Sequence, residues 1–149
     1  MSLNPAPRRW PLTTLKVFAA LTALLALAEP FLAGGFLQGY YPLLQAHMIA
    51  AMILSTAVLL AAIAGLLVWK AAGGPSTPAI QYGILLLCCV AQISLGFSRV
   101  LLIHVPLGVG IFVMAEKFAV EAFRLRPGGA TGSAAGSPAA PAAEPAVAE

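Results

Sequence analysis

The 149-residue chain carries two histidines, His47 and His104, and both fall inside long apolar stretches. An ionisable group in hydrocarbon forfeits its hydration, so an imidazole placed there is a functional candidate by default. His47 lies five residues past Pro42, and His104 five residues past Arg99. These are the boundaries at which the two stretches begin. At the rise of an α-helix each ring sits roughly 7 Å below that boundary, so the pair shares one depth. Two imidazoles at one depth can act as axial ligands to a flat metal macrocycle. Filling both axial positions of a haem iron favours electron transfer over oxygen chemistry.

The neighbours of each histidine suit such a group. Ala51 follows His47 by four residues and Gly108 follows His104 by four, so each ring has a small residue one turn along on its own face. Ala50 and Ser55 widen the gap, and Leu54 and Ile111 supply apolar contact. Arg99, a cation at the boundary, is placed to pair with haem propionates. Glu29, followed by Pro30, is a carboxyl at nearly the same depth, where it can orient an imidazole, exchange a proton or bind a facing helix. Small residues at four-residue spacing also let membrane helices pack closely, and a lone histidine can simply bond Gln45, Gln92 or Ser94. Cys88 and Cys89 are adjacent, so a disulfide between them would be strained; they read as small packing residues. Pro106, two residues past His104, removes a backbone donor from its helix.

The elements that must position these groups follow from composition. The chain is 60% hydrophobic and 9% charged, against about 25% charged in soluble domains. From Val17 to Ala115 only Glu29, Lys70 and Arg99 bear formal charge. Four apolar runs result, at about 15–36, 43–68, 79–95 and 100–120, each near the roughly 20 residues that span a bilayer core. Gly34-Gly35, Gly39-Tyr40-Tyr41-Pro42, Gly73-Gly74-Pro75-Ser76-Thr77-Pro78 and Gly96-Phe97-Ser98-Arg99 punctuate them. The expected fold is all-α: a polytopic up-down-up-down four-helix transmembrane bundle over residues 15–126. In it the second and fourth helices stand on a diagonal, with axes about 13 Å apart. That spacing suits a macrocycle better than a small ion shared by two imidazoles alone.

With the N-terminus inside, Arg8, Arg9, Lys16, Lys70, Lys117, Arg124 and Arg126 fall on the cytoplasmic side and only Arg99 outside. The positive-inside rule then gives an N-in, C-in protein of a bacterial cytoplasmic (inner) membrane, with Tyr40 and Tyr41 at the outer interface and Trp69 at the inner one. Residues 1–14 form a cytoplasmic segment, and the Ala/Pro-rich stretch 127–149 reads as a disordered cytoplasmic tail. An alternative treats Arg8, Arg9 and Lys16 with Ala26-Leu27-Ala28 as a signal peptide cleaved before Glu29, although the apolar run continues to a full span. The basic residues form no continuous stripe, which excludes nucleic acid as a partner.

Phe31-Leu32-Ala33-Gly34 closing the first run, His47 early in the second and His104-Val105-Pro106 early in the fourth resemble a family of small four-helix bacterial membrane proteins of unknown function. The resemblance covers roughly Lys16 to Arg126. More distantly, the layout resembles one half of haem A synthase, whose two four-helix bundles carry histidines on their second and fourth helices. That likeness implies His47 and His104 as axial ligands. It does not imply synthesis, because Leu44 stands where the enzyme has a carboxylate three residues before a histidine, and the enzyme's outer-loop cysteine pairs are missing.

The expected function is binding of one haem b near the outer face, for electron transfer or haem handling rather than synthesis. His47 and His104 would be its ligands, with Ala51, Gly108, Arg99 and Glu29 around it. The expected partners are the lipid bilayer, a quinol or partner cytochrome, and a second copy of the chain in a homodimer. The alternative is a cofactor-free structural or accessory subunit. A transporter is disfavoured by the lack of an inverted repeat.

Overall fold

The computed structural model describes residues 9–126. Its helices are α1 (Trp10–Leu37), α2 (Pro42–Ala72), α3 (Thr77–Phe97) and α4 (Leu101–Arg124), each long and apolar enough to cross a membrane. The expected disordered tail, 127–149, and residues 1–8 of the expected N-terminal segment lie outside the described residues.

Proline stands in the first two positions of α1, α2 and α3, where its missing N–H would have had no helical acceptor. α2 stops at Gly73, whose φ of 67° is left-handed and whose N–H returns to the Val68 carbonyl. The α3–α4 turn is tighter. Arg99 adopts φ 57°, the one positive φ at a non-glycine among the described residues, and its N–H bonds the Gly96 carbonyl at 3.1 Å.

The helices outrun the apolar stretches at one end of the bundle. α1 begins at Trp10 rather than near Leu15, α2 continues past Val68 to Ala72, and α4 past Val120 to Arg124. These extra turns carry Trp10, Trp69, Lys70, Glu121 and Arg124. Backbone hydrogen bonding continues where hydrophobicity stops, because an interfacial helix can hold charged side chains while its peptide groups remain paired.

Each helix packs against its sequence neighbours, and α1 closes on α4, while the backbones of α1 and α3, and of α2 and α4, nowhere bring Cα atoms within 8 Å of each other. The pairs α1/α3 and α2/α4 are therefore the diagonals. Glu29 of α1 meets His47 of α2, and Gln92 of α3 meets His104 of α4, so the C-terminal halves of α1 and α3 lie beside the N-terminal halves of α2 and α4.

Burial is confined to one half of the bundle. The buried positions end at Ala26 on α1 and Cys89 on α3, and begin only at Leu54 on α2 and Ile111 on α4. Many are small: Ala19, Ala57, Ala61, Ala64, Ala115, Ala119 and Ala122 let the backbones approach, as apolar solvent requires if van der Waals packing is to hold helices together. Tyr82 and Phe118 meet edge to face at 5.9 Å inside this half. Around its rim Gln81 donates to Glu121, Lys117 pairs with Glu121 at 2.9 Å, and Lys16 of α1 lies over the Phe123 ring of α4.

The closest approach is at Gly65. A Cβ there would fall 2.8 Å from the Ala79 nitrogen and 2.9 Å from the Pro78 carbonyl carbon. Alanine gains up to about 1 kcal/mol of helix propensity over glycine. Overpacking costs about 1–3 kcal/mol, and here the obstacle is backbone rather than a side chain that can turn aside. Gly65→Ala is expected to lower stability by about 1–2 kcal/mol, read as the midpoint of unfolding in detergent micelles.

Candidate functional site

The other half of the bundle contains no buried residue and encloses a cavity of about 350 Å³, within the range of small-molecule sites. Its walls are largely apolar, and Glu29, His47, Gln92 and His104 are among the few polar groups that line it. Ser55 and Cys89, beside Leu54 and Ile111, form its floor at the edge of the packed half.

The two histidines meet across the α2–α4 diagonal. Their ring centres are 6.3 Å apart and the ring planes cross at 78°. Side chains thus close a gap that the backbones leave open. Two metal–imidazole bonds of about 2 Å each, with each nitrogen roughly 1 Å from its ring centre, span about this distance. The rings come close enough to share one ion, so separation alone does not select a macrocycle. Among the described residues no three His, Cys, Asp or Glu side chains gather to hold an ion.

Both imidazoles are held through Nδ1. His104 Nδ1 lies 3.0 Å from the Gln92 carbonyl oxygen, which can only accept, and His104 Nε2 lies 3.3 Å from the Gln92 side-chain amide nitrogen, which can only donate. The two contacts agree on one tautomer, with the proton on Nδ1 and the lone pair on Nε2. His47 Nδ1 lies against Glu29 Oε2, and neither atom has another partner. In the neutral ring a carboxylate beside Nδ1 holds the proton there and leaves Nε2 as the basic nitrogen. Metal-binding histidines are oriented by such carbonyl and carboxylate partners.

Local sequence explains these placements. Gly96 allows the His104 ring to lie against α3: a Cβ there would be 3.0 Å from His104 Cε1. Gly108 makes room for the Gln92 amide, which would lie 2.8 Å from a Cβ at that position. Pro30 in α1 and Pro106 in α4 remove one helical hydrogen bond each, beside Glu29 and His104.

Compared with known proteins, the chain matches no family model, no curated protein and no solved structure. The reading of the cavity rests on its own geometry.

Of the residues singled out from sequence, His47, His104, Glu29, Ala51 and Gly108 all line the cavity. Arg99 does not: it is exposed in the α3–α4 turn. Leu54, Ser55 and Ile111 line the cavity, and Ala50 does not. Gln92 is the residue sequence reasoning undervalued, as one of three interchangeable partners for a histidine. Of the other two, Ser94 spends its hydroxyl on the Val90 carbonyl and Gln45 is exposed. A signal was present, because Gln92 and Gly96 are four residues apart and share a face.

Proposed function

We propose that the protein is a membrane haem protein that holds one haem b between His47 and His104. The observation that carries this reading is the matched pair of imidazoles, each fixed through Nδ1 and leaving Nε2 as a base, 6.3 Å apart over an apolar cavity. The donor set fits: two neutral nitrogen ligands suit iron in a planar macrocycle, which itself supplies the other four. Ala51 and Gly108 leave space beside the rings, and Glu29 and the Gln92 carbonyl set their orientation. Haem supplies one-electron chemistry when bound. The protein's own residues supply ligation, orientation and an apolar surround. The Gln92 amide, now 3.3 Å from His104 Nε2, would have to turn aside to free that nitrogen as a ligand. A quinol or a partner cytochrome is the electron partner for such a site, and a homodimer would supply a second haem. The absorption spectrum of the purified protein, with and without added haemin and dithionite, tests the reading. Sharp α and β bands in the reduced form support it; a protein that neither contains nor takes up haem overturns it.

The second reading is a cofactor-free accessory subunit. It is favoured by the same contacts seen differently, since each histidine already has a partner on a neighbouring helix.

The proposed setting is a bacterial cytoplasmic membrane crossed four times in alternation. The N- and C-termini are inside and the cavity lies toward the outer face, from the seven-to-one distribution of basic residues. Reporter fusions after Lys70 and after Arg126 are expected to report cytoplasm and one at Tyr40 the outside. An outside signal at Arg126 reverses the assignment.

A further inference from the structure

The cavity is walled unevenly. Every lining residue contributed by α2 and α3 is at least partly covered, from His47 and Ala51 to Gln92 and Ile93. The exposed lining residues are Pro30 and Leu37 on α1 and Val105 and Val109 on α4. The mouth of the cavity therefore lies on the flank where α1 and α4 meet, and it runs from Leu37 at the end of α1 along the apolar length of the helices to Pro30, Val105 and Val109.

Two further features converge on that flank. α1 and α4 are the helices with an internal proline, Pro30 and Pro106, and each thus lacks one hydrogen bond at the level of the cavity. Their buried residues lie only on the far side of Ala26 and Ile111, so packing holds the two helices together in the opposite half and not beside the mouth. Gly34 lines the cavity on α1 between Pro30 and Leu37, and a Cβ built on it meets nothing within 4 Å.

We infer that the gap between the C-terminal half of α1 and the N-terminal half of α4 is a lateral passage through which haem moves between the bilayer and the two histidines. This rests on the haem reading and deepens it: the protein is an exchanging haem carrier rather than a fixed electron-transfer centre. A ligand with an apolar ring system partitions into lipid, and an opening along the apolar flank admits it without passage through water. Only movement and ligand exchange at iron are involved, with no covalent or redox step.

The test fills the mouth and leaves the ligands in place. Wild type, Gly34→Trp and Gly83→Trp, the last on α3 and outside the cavity lining, are reconstituted in phospholipid vesicles. Haem uptake from haemin-loaded vesicles, and release to an apoglobin in the water phase, are followed optically. Gly34→Trp is expected to slow uptake and release alike by about tenfold, because narrowing a passage changes rates in both directions while the affinity stays within a few-fold. Gly83→Trp is expected to match wild type. Should Gly34→Trp fail to assemble, Val109→Trp on the facing wall carries the same expectation. Exchange by the mouth variant at the wild-type rate, or equal slowing by Gly83→Trp, overturns the passage and leaves haem binding intact. Loss of haem from both mouth variants also overturns it, since the gap would then be part of the binding surface. Wild type without a haem spectrum overturns the haem reading itself.

Discussion

His47→Ala and His104→Ala are each expected to abolish the low-spin spectrum of the reduced protein. Removing one imidazole leaves iron with a single axial ligand, so the variant either loses haem or shows the broad spectrum of a five-coordinate high-spin centre. Glu29→Gln, which keeps both ligands and weakens the partner of His47 Nδ1, is expected to retain the low-spin form with haem affinity reduced about 10–100-fold. Cys88→Ser and Cys89→Ser leave the donor set untouched and the spectrum unchanged. Titration with haemin followed at the Soret band measures all five. A full low-spin spectrum in either alanine variant would remove that histidine from the site.

The second large effect is expected from Gly108→Leu, which keeps both histidines and fills the space beside them. In the structure that space holds the Gln92 amide, a side-chain end that can swing aside, and leucine regains about 1 kcal/mol of helix propensity lost to glycine. The variant should therefore fold, with unchanged helical circular dichroism, and bind haem at least about 100-fold more weakly, since steric exclusion acts on top of any lost contact. Gln92→Ala separates the two readings of the site. In a haem protein the Gln92 amide competes with iron for His104 Nε2, so its loss leaves haem binding equal or stronger. In a cofactor-free protein its loss leaves a partly buried imidazole nitrogen unpaired and costs about 1–3 kcal/mol of stability with no spectral consequence.

The number of helices was legible from sequence because hydrocarbon imposes a length on an apolar run and the Gly- and Pro-rich breaks are abrupt. That His47 and His104 stand at one level of the bundle was legible for the same reason: counting along each helix from Pro42 and Arg99 needs only the helical rise. Rotation about the helix axis was far less visible. A helix apolar on every side has no polar face to orient it, so sequence could not choose among Gln45, Gln92 and Ser94 as the partner of a histidine. The division of the bundle was equally hidden, because Leu54 and Leu44 are the same residue type, yet one is buried and the other exposed. Pro30 and Pro106 could each be read as a local bend. That both belong to the helices flanking one opening emerged only from the arrangement of four helices in space.

The concentration of close packing in the half of the bundle away from the histidines separates what keeps the molecule assembled from what it holds. Leu15, Val58, Tyr82 and Ala115 are fully enclosed with no contribution from the cavity. If the cavity takes haem as proposed, the group would join a fold whose packed half is complete without it, so that loading and release would need no refolding. A site built into the centre of the packing would instead have made its occupant part of the folding nucleus, and each departure an unfolding event.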